Sequence, residues 1–230
     1  MARDVLLVFA KVPEPGRVKT RLSPPLTAEQ ASTLYAAFLG DSLDRYASLS
    51  SAPGGPEVRL FVGGDPDDDR LSALVPDGMR VARQQGSGLG ARMLRAFVEA
   101  FATGAERVVV IGTDHPTLPD AYITLAFDQL ADPMTAVLGP SDDGGYYLLG
   151  LNDLAPDLFD MDYSHERVFE DTLDRIAGAG LSPVVLPPHY DVDDGDTLVR
   201  LIEEWRSGAD IGTRTAAVLR TLTESSSGTD

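Results

Sequence analysis

Asp4 to Pro24 reads DVLLVFAKVPEPGRVKTRLSP, and its two halves obey different rules. Asp4 to Ala10 is a continuous apolar run without alternation. Such a run predicts a strand buried on both faces, the kind found in parallel sheets covered by helices on each side. The second half is a Pro/Gly loop carrying Lys11, Arg17, Lys19 and Arg21. Lys11 and Lys19 are the only lysines in a chain of formal net charge -17. Cations gathered this locally point to an anion that the loop holds, and phosphate fits best because Arg can grip two of its oxygens at once. Gly16 lets backbone N–H groups approach such a ligand. The loop does not match GxxxxGK[ST], so it is not a Walker A loop.

Working outward, Thr27-Ala28-Glu29-Gln30 has the form of a capping box, and Ala31, Leu34, Tyr35 and Phe38 continue at helical spacing to about Ser48. Further strands are predicted at Glu57–Val62, Met79–Arg83, Arg107–Gly112, Thr135–Gly139, Tyr146–Leu151 and Leu181–Leu186. Helices are predicted at Leu89–Ala102, Asp120–Leu130, Glu166–Ala177, Asp196–Trp205 and Thr213–Leu222. Gly63–Arg70, with its Asp67-Asp68-Asp69 run, reads as a solvated turn. Strands alternating with helices predict an α/β/α sandwich of three layers around a mostly parallel central sheet. Ligands bind such sheets at the carboxyl ends of strands, and the unusual residues fall after Ala10, Gly112 and Gly139. We expect one domain over residues 1–222 and a disordered tail over 223–230.

The bulk composition is that of a globular protein, with 43% hydrophobic and 24% charged residues. No apolar run is long enough for a membrane span, and the N-terminus lacks the pattern of a signal peptide, so the cytoplasm is the expected location. Absence of cysteine excludes disulfides and zinc-thiolate sites. The acidic balance argues against nucleic acid and anionic membrane as partners.

Three further segments carry chemistry. In Gly112-Thr113-Asp114-His115-Pro116 an aspartate follows a buried strand at the ligand edge. A hard cation such as Mg²⁺ takes one or two carboxylates plus substrate phosphates, and Asp114 suits that role, or else caps a turn. Asp142-Asp143-Gly144-Gly145-Tyr146-Tyr147 joins a tight turn to two aromatic faces, either a hairpin alone or a floor for substrate. In Tyr190-Asp191-Val192-Asp193-Asp194 the alternating Asp191 and Asp193 point the same way if extended, toward one metal. His115 and His165 are candidate general bases.

In order, FAKxPxPGxVKTRL, LGxRM (Leu89–Met93), GTDxPxLP (Gly112–Pro119), GPxxDGGYYLLGL (Gly139–Leu151) and DVDD resemble a bacterial family of GT-A-fold transferases. That family is labelled radical-SAM/selenodomain-associated transferase and arsenosugar-biosynthesis glycosyltransferase, and the likeness spans about Val5 to Leu201. The wider group is similar to 2-phospholactate guanylyltransferase and molybdenum cofactor guanylyltransferase. The resemblance implies a nucleotide-diphospho-sugar transferase fold. It implies that Lys11, Gly16, Arg17, Lys19 and Arg21, with Arg92 of LGxRM, hold nucleotide phosphates. It implies Mg²⁺ or Mn²⁺ on Asp114, with Asp191 or Asp193 as second ligand. The Asp143–Tyr146 loop, with Gly144, Gly145 and Tyr146, would contact sugar or acceptor; the acceptor hydroxyl of a glycosyltransferase needs a base, and Asp143 is the candidate. The chain departs from the family at Tyr163-Ser164-His165, where the family has Trp-Ser-Thr, and at Gly88, where it has aspartate.

Three functions follow. One is a metal-dependent glycosyltransferase using a nucleotide sugar and a small-molecule acceptor. Another is a nucleotidyltransferase joining an NTP to a phosphorylated small molecule, which four loop cations would suit. The last is a non-catalytic nucleotide-binding protein.

Overall fold

The computed structural model describes residues 3–226. Its strands are β1 (Asp4–Lys11), β2 (Glu57–Gly63), β3 (Arg80–Arg83), β4 (Arg107–Ile111), β5 (Thr135–Pro140), β6 (Tyr146–Leu151) and β7 (Ser182–Val185). Its helices are α1 (Ala28–Ser51), α2 (Asp69–Ser72), α3 (Leu89–Ala102), α4 (Asp120–Gln129), α5 (Val168–Gly178), α6 (Gly195–Arg206) and α7 (Thr213–Ser226). Short 3₁₀ turns lie at Thr20–Leu22 and Pro156–Phe159.

The apolar run of β1 places it inside a seven-stranded sheet ordered β3-β2-β1-β4-β6-β5-β7. β1 pairs in parallel with β2 and β4, with Val8 opposite Leu60 on one side and Ile111 on the other. Only β6 runs against its neighbours β4 and β5. The sheet is therefore mostly parallel, as its sequence predicts.

Alternate residues of β1 feed two cores. Leu6, Val8 and Ala10 pack with Leu39 and Leu43 of α1 and Ile123 and Phe127 of α4. Val5 and Leu7 pack with Met93 and Phe97 of α3 and Ile176 of α5. Sheet and helices make the three-layer α/β/α sandwich. A third cluster joins Leu34 and Phe38 of α1 to Leu198 and Leu201 of α6 and Leu219 of α7, with Leu22, Tyr190 and Val192 beneath. It clamps the cationic loop and the 190–193 segment onto one helix.

Local chemistry explains the boundaries. The Thr27 hydroxyl accepts from Gln30 N at 3.2 Å and the Gln30 side-chain oxygen Oε1 accepts from Thr27 N at 2.8 Å, so the capping box starts α1. The helix runs on to Ser51, past the predicted end. Within the predicted turn, Asp68 accepts from Arg70 N and caps the single turn α2. The last helix continues to Ser226, so residues 223–226 are helical and not part of a disordered tail. The rest of that predicted tail, 227–230, lies outside the described residues. No described helix is long and apolar enough to cross a membrane.

Candidate active site

A cavity of about 560 Å³ opens at the carboxyl ends of β1 and β4. Lys11, Lys19 and Arg21 line it from the first loop, and Leu89, Arg92 and Met93 line it from the start of α3. Asp114, His115, Asp191 and Asp193 form its acidic side, and Tyr35 and Tyr146 also line it.

β1 delivers Lys11 to the rim. Its backbone N–H donates to the Tyr35 hydroxyl at 2.9 Å, and that hydroxyl lies 3.4 Å from Thr113 Oγ1. A buried helix residue thus fixes both the first loop and the β4 loop. Burial pushes the Tyr35 phenol up to about 12, so it stays a neutral hydrogen-bonding post. Val192 N donates to Asp114 O at 2.9 Å, which ties the 190–193 segment to the β4 loop.

The centre of the site is an ion cluster. Lys19, whose side chain is 5% exposed, places its ammonium between Asp114 and Asp193, the latter at 2.7 Å. Arg21 binds the other Asp193 oxygen at 2.6 Å. Burial disfavours the Lys19 charge, but the two carboxylates outweigh it and hold its pKa above the ordinary value. Burial also disfavours a charged Asp193, yet Lys19 keeps it ionised below the usual carboxylate range.

Beside this cluster, Asp191 accepts from Ser141 and lies 3.1 Å from His115 Nδ1. Burial opposes both charges here too. Their mutual attraction wins, raising His115 and lowering Asp191. Each partner thus favours the charged form of the other.

Lys11, Lys19, Arg21, Arg92, Asp114, Tyr146, Asp191 and Asp193 are brought together; Gly16, Arg17, Asp143, Gly144 and Gly145 do not line the cavity. Gly16 has φ +75 and closes a turn in which Arg17 N donates to Glu14 O at 3.0 Å. With Pro15 before it, this is a type II turn, which needs glycine at that position. Arg17 is 76% exposed and pairs with Glu14. Neither lines the cavity: Gly16 shapes the turn and Arg17 lies on the surface.

Asp143 is exposed, and its carboxylate accepts from Gly145 N at 3.0 Å. It is held in its own turn and does not line the cavity, which removes the geometric basis for a general base there. At Gly144, φ is +88 and a Cβ would collide with the carbonyl of Glu166. Gly144 and Gly145 therefore shape the β5–β6 connection, and only Tyr146 of that trio reaches the cavity.

The sequence did not single out Tyr35 or Ser141. Tyr35 was hidden in a helical apolar stripe, and Ser141 in a turn-rich segment. Of the two departures, Gly88 is the N-cap of α3 and makes no side-chain cap bond. Tyr163 packs against Gly90, where a Cβ would stand 2.6 Å from its ring.

Among the described residues, no three His, Asp or Glu side chains converge into a ready metal cage. The donor set nevertheless suits a hard ion shared between protein and phosphate, since Asp114 and Asp193 both present carboxylates to the cavity.

Fold and site define a transferase of the nucleotide-diphospho-sugar transferase superfamily. The chain belongs to the family of uncharacterized proteins conserved in bacteria designated DUF2064, whose model matches residues 49–165. It is 33% identical to a protein from Desulfovibrio desulfuricans G20 assigned as a nucleotide-diphospho-sugar transferase, with a TM-score of 0.85 and 96% and 95% of the two chains covered. A cytidylyltransferase from Leptospira borgpetersenii serovar Hardjo-bovis shares the fold at 12% identity, with a TM-score of 0.57 and 99% and 96% covered. A 4-diphosphocytidyl-2C-methyl-D-erythritol synthase does so at 13% identity, with a TM-score of 0.55 and 88% and 99% covered. No curated protein matches the chain.

Proposed function

We propose that the protein is a glycosyltransferase that takes a sugar from a nucleoside diphosphate and passes it to a small-molecule acceptor. The observation that carries this reading is the pairing state of the cavity cations. Lys19 and Arg21 are already held by carboxylates. Lys11 and Arg92 line the cavity, and among the described residues neither has an acidic partner. Two cations left without a carboxylate partner suit the two phosphates of a diphosphate better than a triphosphate.

In the reaction the bond from the anomeric carbon to the diphosphate oxygen breaks, one to the acceptor oxygen forms, and the acceptor's hydroxyl proton passes to an oxygen of the departing diphosphate. Negative charge grows on the departing diphosphate, and the cations Lys11 and Arg92 stabilise it there. The buried walls around Tyr146 and Met93 keep water from competing as acceptor. Asp114 and Asp193 would hold a magnesium or manganese ion, which supplies Lewis-acid neutralisation of that same charge. Asp191, tied to His115 and Ser141, orients the floor of the cavity.

A nucleotidyltransferase is the second reading. It is favoured if Lys19 and Arg21 turn from their carboxylates to a third phosphate. Thermal shift with Mn²⁺ and UDP, GDP, their sugar conjugates and each NTP separates the two. A ligand at 100 times its Kd stabilises by about 2.7 kcal/mol. The largest shift is expected from a sugar diphosphate; a larger one from a triphosphate selects the second reading. If no nucleotide moves the melting curve, with or without metal, both readings fall.

A further inference from the structure

We propose that Lys19 is an exchangeable counter-ion: its ammonium keeps a divalent cation out of the site until the phosphate of an incoming ligand draws it away. The inference rests on the phosphate-binding reading above and adds an order of assembly to it.

Asp114 and Asp193 come from segments far apart in the chain, and Lys19 joins them by setting its Nζ between their oxygens. Its head is buried, with the Tyr35 ring centroid 6.0 Å away. The second oxygen of Asp193 is taken by Arg21 at 2.6 Å, and Asp191 is taken by His115 and Ser141. Every carboxylate lining the cavity is thus already engaged by this chain's own donors.

A metal shared by Asp114 and Asp193 competes with the ammonium for the same oxygens. The two cations also repel strongly in a half-buried site, where screening is weak. Moving Lys19 away without a new anion would leave a buried ammonium unpaired, which is costly. A phosphate removes that cost by pairing with Lys19 as the metal takes the carboxylates. The lysine stem is flexible enough to swing its head while the backbone stays in place. Metal and phosphate ligand therefore bind with positive coupling, and the coupling is reciprocal.

The test needs no nucleotide. Mn²⁺ binding is measured by electron paramagnetic resonance on wild type, Lys19→Met and Lys19→Arg. Lys19→Met, which keeps length and loses charge, is expected to bind Mn²⁺ at least about tenfold tighter than wild type, a difference of about 1.4 kcal/mol. Lys19→Arg keeps the charge and is expected to bind as weakly as wild type. Equal affinity in wild type and Lys19→Met, or tight binding by Lys19→Arg, overturns the proposal.

A second measurement uses the unmodified protein, in case Lys19→Met does not fold. With only Lys11 and Lys19 present, lysine-selective ¹³Cε labelling gives two side-chain signals. Mg²⁺ alone is expected to leave the Lys19 signal in place, whereas displacement by Mg²⁺ alone refutes the exchange. The nucleotide panel tests the phosphate-site reading separately, so the two can fail independently.

Discussion

Lys19 shows what a single residue reveals and conceals. Its type and its cationic neighbourhood are plain in the sequence, as are Asp114 and Asp193. Its partners are not, because Lys19 and Asp193 lie 174 residues apart and meet only through folding. Gly16 and Arg17 fail for the opposite reason. Pro15-Gly16 is a local type II turn signal, which is legible in sequence, but the surrounding charge drew the reading toward phosphate. Gly144 is a turn residue of another kind, because its backbone conformation and the Glu166 carbonyl both exclude a side chain. Gly144→Ala is expected to lose about 3 kcal/mol or more of unfolding free energy in urea titration. Gly78→Ala is the comparison: Gly78 also has φ +80 but has open space around it, and about 1 kcal/mol is expected. Similar losses at both sites would show that the Glu166 contact does not constrain the turn.

Helix α1 is the element that builds the site from behind. Its N-terminus was legible to the residue, because a capping box is a local device with a fixed spacing. Its functional face was not, because a tyrosine in an apolar stripe looks the same whether its hydroxyl is used or not. Tyr35 holds the Lys11 backbone and approaches Thr113, so one helix side chain spans two loops of the cavity. Tyr35→Phe leaves the Lys11 N–H without its partner and is expected to cost about 1–3 kcal/mol of stability. Chemical denaturation measures it, and an unchanged midpoint would mean that the bond is replaced by solvent. β4 was legible for the same reason as β1, through an unbroken apolar run. Sheet order was not, because β1 lies between β2 and β4 by pairings distant in sequence.

At the scale of the whole molecule, acidity and buried titratable groups set the pH response. Burial holds His189 down to about 4, and His115 adds to the effect. The unfolded chain binds this proton near pH 6.5, so between those values the unfolded state holds more protons than the folded one. The contribution of His189 is complete above pH 6.5 and drains away as pH falls toward 4. His189→Gln should flatten that part of the profile. Tm measured against pH for both proteins is expected to converge on the acid side; parallel curves would contradict the assignment.

The sheet has two free margins, β3 and β7. β3 carries Arg80 and Arg83, whose exposed charges deter a foreign strand, and β7 carries Pro183, which has no N–H to offer one. With a formal charge of -17, like molecules also repel before their margins meet. The parallel sheet that creates the cavity is thus poorly suited to templating fibrils, and concentrated solutions of this protein should resist cross-β growth through its native edges.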